Sequence, residues 1–131
     1  TNTDAGTILV VSNNELKYFS GVENEKGFID GEAPRFYMPT NIKFYNDYLY
    51  IWDFNTLRRV EVKEHLLSGE CITIVGEASP DFQMNISNYT INSSKIILPN
   101  SKLSGFIVDE DTILISDPKR KAIWEVVEKR D

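Results

Sequence analysis

Apolar residues in this chain fall in short alternating runs, and polar turn residues separate the runs. Thr7-Ile8-Leu9-Val10-Val11 is a β-branched run closed by Ser12-Asn13-Asn14, and 15–20 follows as a second strand. Asn13-Asn14 suits the positive-φ positions of a tight hairpin turn. A loop at 21–39 holds Gly27, Gly31, Pro34 and Pro39. Four strands are then predicted at 41–45, 48–52, 57–63 and 71–75, joined by turns at Asn46-Asp47, 53–56 and Ser68-Gly69-Glu70. Residues 62–67 hold at most a helical turn, too short to persist alone. The expected arrangement is an up-and-down antiparallel meander.

The pattern then recurs. Residues 104–108 resemble 41–45, Glu110-Asp111 resembles Asn46-Asp47, 112–117 resembles 48–53, and 122–127 resembles 57–62. Asp53 and Asp117 close the corresponding strands, 64 residues apart (117 − 53). The excess over a common repeat length of about 40–50 residues is assigned to an inserted polar loop at 78–95. The expected order is a partial unit at 7–20, a complete unit at 41–76, and a partial unit at 104–127 without a fourth strand. A four-stranded unit of this kind must bury both faces of its sheet against neighbours.

Residues 18–60 resemble an NHL repeat, one of the blade types of β-propellers. The resemblance rests on Gly21, Gly27-Phe28-Ile29-Asp30-Gly31, Ala33, Arg35-Phe36, Pro39, Ile42, Leu49-Tyr50-Ile51, Asp53, Asn55 and Arg58/Arg59-Val60. The second unit keeps Gly76, Pro99, Ile115 and Asp117 but lacks the Asp-Gly turn, and Pro118 follows Asp117. The resemblance implies an all-β fold of four-stranded antiparallel propeller blades, about two to three of them, in an incomplete ring. Asp30, Gly31, Pro39 and Asp53 are then fold devices, with both carboxylates expected to accept hydrogen bonds from nearby turn amides.

Composition narrows the function. The 131 residues carry a net charge of −6, which opposes sequence-independent binding to phosphate backbones. Arg58/Arg59 and Lys119-Arg120-Lys121 are flanked by acids and read as solvated faces. A single cysteine, Cys71, excludes an intrachain disulfide and a Cys-rich zinc site, and its apolar run predicts a buried, inert thiol. No apolar run approaches the ~20 residues of a membrane span. Position 1 is threonine and no signal peptide is visible, which leaves room for a preceding segment.

Candidate chemistry is sparse. The one histidine, His65, lies beside a turn with no nucleophile-elbow pattern near it, and reads as a surface residue. Zinc- and calcium-dependent propeller enzymes of the lyase and lactonase kind, which such a fold resembles, converge several histidines or carboxylates on a channel; one histidine does not suffice. Asp109, Glu110 and Asp111 cluster without a calcium-loop spacing. No catalytic, metal or cofactor site is therefore expected. Tyr48, Tyr50 and Trp52 share one strand face, read either as packing between sheets or, with Tyr37, Tyr45 and Arg58, as a binding surface for a ligand or sugar. Asn85, Asn88 and Asn92 each begin an N-x-Ser/Thr acceptor, pointing to a secretory setting unless they reflect biased composition. The expected role is an interaction module with a protein partner or self-association completing the ring. The alternatives are a ligand-, sugar- or metal-binding propeller enzyme and a sensor ectodomain.

Overall fold

The computed structural model describes residues 1–76, 82–86, 89–93, 105–109 and 112–128. Three antiparallel sheets account for the strands among these residues, and none of the sheets closes on itself. The first sheet is the hairpin β1 (Ile8–Ser12) and β2 (Glu15–Ser20). The middle sheet runs in chain order: β3 (Pro39–Tyr45), β4 (Tyr48–Asp53), β5 (Thr56–Lys63) and β6 (Leu67–Val75). The third sheet contains β7 (Phe82–Ile86), β8 (Tyr89–Asn92), β9 (Phe106–Asp109), β10 (Thr112–Asp117) and β11 (Ala122–Glu128), in the order β8-β7-β11-β10-β9. A 3-10 turn lies at Glu64–Leu66.

Local chemistry sets the turns. Asn13 and Asn14 have φ of 52° and 62°, and Asn46 and Asp47 have 50° and 66°. These left-handed pairs match the right-handed twist of the strands they join, and Asn and Asp tolerate the region best after Gly. β6 is longer than expected, because Ser68-Gly69-Glu70 continues the strand rather than turning it. Gly69 lies where a Cβ would stand 2.9 Å from Glu61 Cβ, so its role is close approach to β5 and not a turn.

The middle sheet is covered on both faces over β4, β5 and most of β6, while β3 is largely exposed. One face carries Ile51 and Val60, which with Cys71 cluster with Ile8 and Phe36. The other carries Tyr50, Trp52, Leu57, Ile74 and Val75, which cluster with Met84, Phe106, Ile113, Ile115, Trp124 and Val126 of the third sheet. Trp52 stacks on Phe106 with ring centroids 6.1 Å apart. Each fully buried aliphatic or aromatic side chain here contributes roughly 1.5–3 kcal/mol, so the two interfaces hold the three sheets face to face.

The middle and third sheets repeat one register. Ile51 pairs with Arg58 and Leu49 with Val60; Ile115 pairs with Trp124 and Ile113 with Val126. Ile42 and Phe44 oppose Ile51 and Leu49, as Phe106 and Val108 oppose Ile115 and Ile113. The recurrence expected from sequence is present but slipped by one position. Phe106 corresponds to Ile42 rather than Lys43, and Ala122 to Thr56 rather than Leu57.

The stretch expected as an inserted polar loop at 78–95 carries β7 and β8, which form a hairpin. β7 pairs antiparallel with β11. The third sheet therefore gains its fourth strand from earlier in the chain, rather than lacking one. The period-2 signal was present in Phe82, Met84 and Ile86 but was diluted by Gln83, Asn85 and the surrounding Asn and Ser. Met84 is fully buried.

Candidate interaction surfaces

Arg58 is the most constrained polar residue in the middle sheet. It shares parity with Val60 on β5, so its side chain enters the face toward the first sheet. The guanidinium is fully buried. It donates to Asp53 Oδ2 at 3.0 Å, to Asp30 Oδ1 at 2.9 Å, and to the carbonyls of Ile29 and Arg35. The Phe36 ring lies 4.6 Å from its central carbon. Asp53 also accepts the Tyr37 and Met38 amides, the closest at 2.7 Å, and Asp30 accepts Thr73 N and Thr73 Oγ1. The two carboxylates thus bind amides distant in sequence, not the adjacent turn amides expected for them. Together they fasten the 27–38 segment to the sheet. The same segment covers part of the β6 edge, where Gly31, at φ of 107°, exchanges two backbone hydrogen bonds with Cys71.

The third sheet repeats this device with different chemistry. Trp124 occupies the register position of Arg58, and its Nε1–H donates to Asp117 at 3.0 Å. Arg120 adds a side-chain bond at 2.8 Å and a backbone one. The two aspartates titrate in opposite directions. Burial pushes Asp53 above its ordinary value of 3.8, against the pull of the Tyr37 and Met38 amides and Arg58. At Asp117 burial also raises, but the bonds from Trp124 and Arg120 outweigh it and the carboxyl is held below 3.8. Burial pushes the Cys71 thiol from 9.0 up to about 12, so it stays protonated.

The residues proposed from sequence as one surface do not form one. Tyr50, Trp52 and Arg58 are buried within the sheet interfaces, which removes them from the surface. Tyr45 and Tyr48 are half-buried at the edge of the same cluster, and Arg59 lies over the Tyr48 ring at 4.2 Å. Tyr37 stands apart, stacked on Phe28 and edge-on to Phe54, each with centroids 5.3 Å away. Aromatic alternation on β4 is a packing signal because a sheet lies over each face.

Two sets of exposed apolar groups lie on the outer faces of the end sheets. On the first sheet Leu9 opposes Tyr18 and Val11 opposes Leu16, so these four share the face turned away from the middle sheet. Val11, Leu16 and Tyr18 are exposed. Tyr18 hydrogen-bonds Glu23, which pushes the phenol above its ordinary value. At the far end, Leu114 opposes Ile107 and Ser116 opposes Ile123 on the outer face of the third sheet, with Ile107 and Ile123 exposed. Scattered single apolar residues are ordinary on a surface; cross-strand neighbours on one face are not.

His65 is exposed, at φ of 62° inside the 3-10 turn. No group of three or more His, Cys, Asp or Glu placed to hold a metal occurs among the described residues. Asp109 lies in β9, and Glu110 and Asp111 lie outside the described residues. Of the three acceptor asparagines, Asn85 and Asn92 fall in β7 and β8, and Asn88 lies outside the described residues. No helix among the described residues is long and apolar enough to cross a membrane. No protein-family model and no curated protein matches the sequence.

Proposed function

We propose that this chain is an interaction module: a row of propeller-type blades whose two end faces seat further β-sheet, from a protein partner or from another copy. The observation that carries the reading is the exposure of apolar residues on the outward faces: Val11, Leu16 and Tyr18 at one end, with Val11 opposite Leu16, and Ile107 and Ile123 at the other. The middle sheet buries both faces of β4 and β5 against neighbours, and the end sheets offer the corresponding faces to solvent. Repetition of one register in two sheets supports the blade assignment, as does the NHL-like pattern of residues 18–60.

Sedimentation velocity across a concentration series tests the proposal. The wild-type chain is expected to associate, and Leu16→Glu combined with Ile123→Glu to stay monomeric while keeping the wild-type circular dichroism. Association that persists in the double variant, or a wild-type chain that is monomeric at every concentration, overturns the reading.

A further inference from the structure

Among the described residues β6 pairs with β5 along one side, as the last strand of the middle sheet. Its other side meets the tip of the 27–38 segment. Gly31 N donates to Cys71 O at 2.8 Å, Cys71 N donates to Gly31 O at 2.9 Å, and Asp30 Oδ2 accepts the Thr73 amide at 2.9 Å. Cys71 N, Cys71 O and Thr73 N belong to alternate residues and point away from β5, where a further strand would bond. The Asp30 carboxylate stands in for that strand's carbonyl. Without the tip, these groups form an unpaired edge along Cys71-Ile72-Thr73-Ile74-Val75, a run rich in β-branched residues and free of charge and proline.

The cover is narrow. The bridge between Gly31 and Cys71 is antiparallel and isolated, so the pairing order sets Glu32 next to Glu70 immediately past it. Both glutamates are exposed, and like charges across a pair oppose its extension. The base of the segment is anchored without the tip. Phe36 is fully buried, Asp53 accepts the Tyr37 and Met38 amides, and Arg58 donates to the Ile29 and Arg35 carbonyls. The bonds that Asp30 and Gly31 add at β6 therefore serve the edge itself.

We propose that Asp30-Gly31 is an edge guard, which keeps β6 of this chain from pairing antiparallel with β6 of a second copy. An identical edge offers the same spacing of donors and acceptors, and antiparallel pairing about a two-fold axis closes with two copies. Lifting the tip frees Cys71 N, Cys71 O and Thr73 N together, and pairing then joins two middle sheets edge to edge. Main-chain hydrogen bonds supply the affinity. The guard is separate from the end faces: it sits on a strand edge, and they are sheet surfaces.

The test uses the full chain carrying Leu16→Glu and Ile123→Glu, with and without a lifted guard. Asp30→Ala removes the carboxylate at Thr73. Gly31→Ala strains the φ of 107° that the bridge requires, meets no atom within 4 Å, and leaves Asp30, Arg58 and Asp53 in place. It keeps the test decisive where Asp30→Ala does not fold. In dilute solution both variants are expected to exchange the Cys71 and Thr73 amides roughly tenfold faster or more than the guarded chain. As concentration rises, sedimentation velocity is expected to show a dimer, and the same two amides to regain protection. Folded variants that keep both amides protected when dilute, that expose them and stay monomeric, or that associate without protecting them overturn the proposal. Association of the guarded chain with no change at Cys71 and Thr73 counts against the end-face reading alone, since these amides report β6 whatever the end faces do.

Discussion

Arg58, Cys71 and Asp117 show how single side chains hold the sheets. Arg58 joins the 27–38 segment to β5 through two carboxylates and two carbonyls, with no exposed surface. Removing one partner of a buried pair leaves the other charge uncompensated, at a cost of about 3–5 kcal/mol. Arg58→Met is therefore expected to lower unfolding free energy by about that amount in urea titration. Cys71, protonated up to about pH 12 and buried, is expected to resist iodoacetamide in the folded chain and to react only as fast as the chain unfolds. Asp117 gives the pH prediction. Its folded value lies below 3.8, so the ionised form favours folding. That stabilisation is complete above pH 3.8 and disappears as pH falls through the lower folded value. Asp117→Asn is expected to flatten this part of the acid limb in thermal melts, and an unchanged limb would refute the assignment. The burial of Cys71 was readable from its apolar run, but the role of Arg58 was not readable from charge pattern: it looked solvated beside Arg59, and only its shared parity with Val60 marked it as inward.

At the scale of elements, legibility followed the strength of alternation. The Asn13-Asn14 and Asn46-Asp47 turns and the strands at 41–45, 48–52 and 57–63 were clear because turn chemistry and apolar period agreed there. β7 and β8 were hidden because Gln83, Asn85, Asn92 and the neighbouring Asn and Ser dilute the apolar alternation, and the match of β11 to β5 slipped by one because the turn at 118–121 is longer than that at Phe54-Asn55. Glycine at the end of the outermost strand was legible and has a testable consequence. A Cβ on Gly21 would stand 2.6 Å from the Gly6 carbonyl oxygen, at φ of 87°. Gly21→Ala is expected to destabilise the chain by about 1–3 kcal/mol, measured by thermal denaturation. Gly27→Ala, with ordinary contacts at 3.5 Å or beyond, is expected to change it little.

At the scale of the whole molecule, the all-β class and the need for neighbours on each sheet face were visible in the sequence. Which aromatic residues serve the interior and which face solvent was not, because a strand covered on both sides loses its inside–outside alternation. Tyr50 and Trp52, read from sequence either as packing between sheets or as part of a binding platform, are the seam between two sheets. The net charge of −6 adds long-range repulsion between copies, so association through the end faces is expected to strengthen as salt rises and to reach a plateau once the charges are screened. A decrease in association with salt, followed by light scattering, would place the contact on charged groups instead. The central claim is that the middle sheet lies between two different sheets. The direct measurement is a set of inter-residue nuclear Overhauser effects in the intact chain. Cross-peaks are expected between the Trp52 indole and the Phe106 ring on one face, and between the Ile51 and Ile8 methyl groups on the other. Contacts from Ile8 and Phe106 to a single face of the middle sheet, as in a two-layer sandwich, would contradict the account.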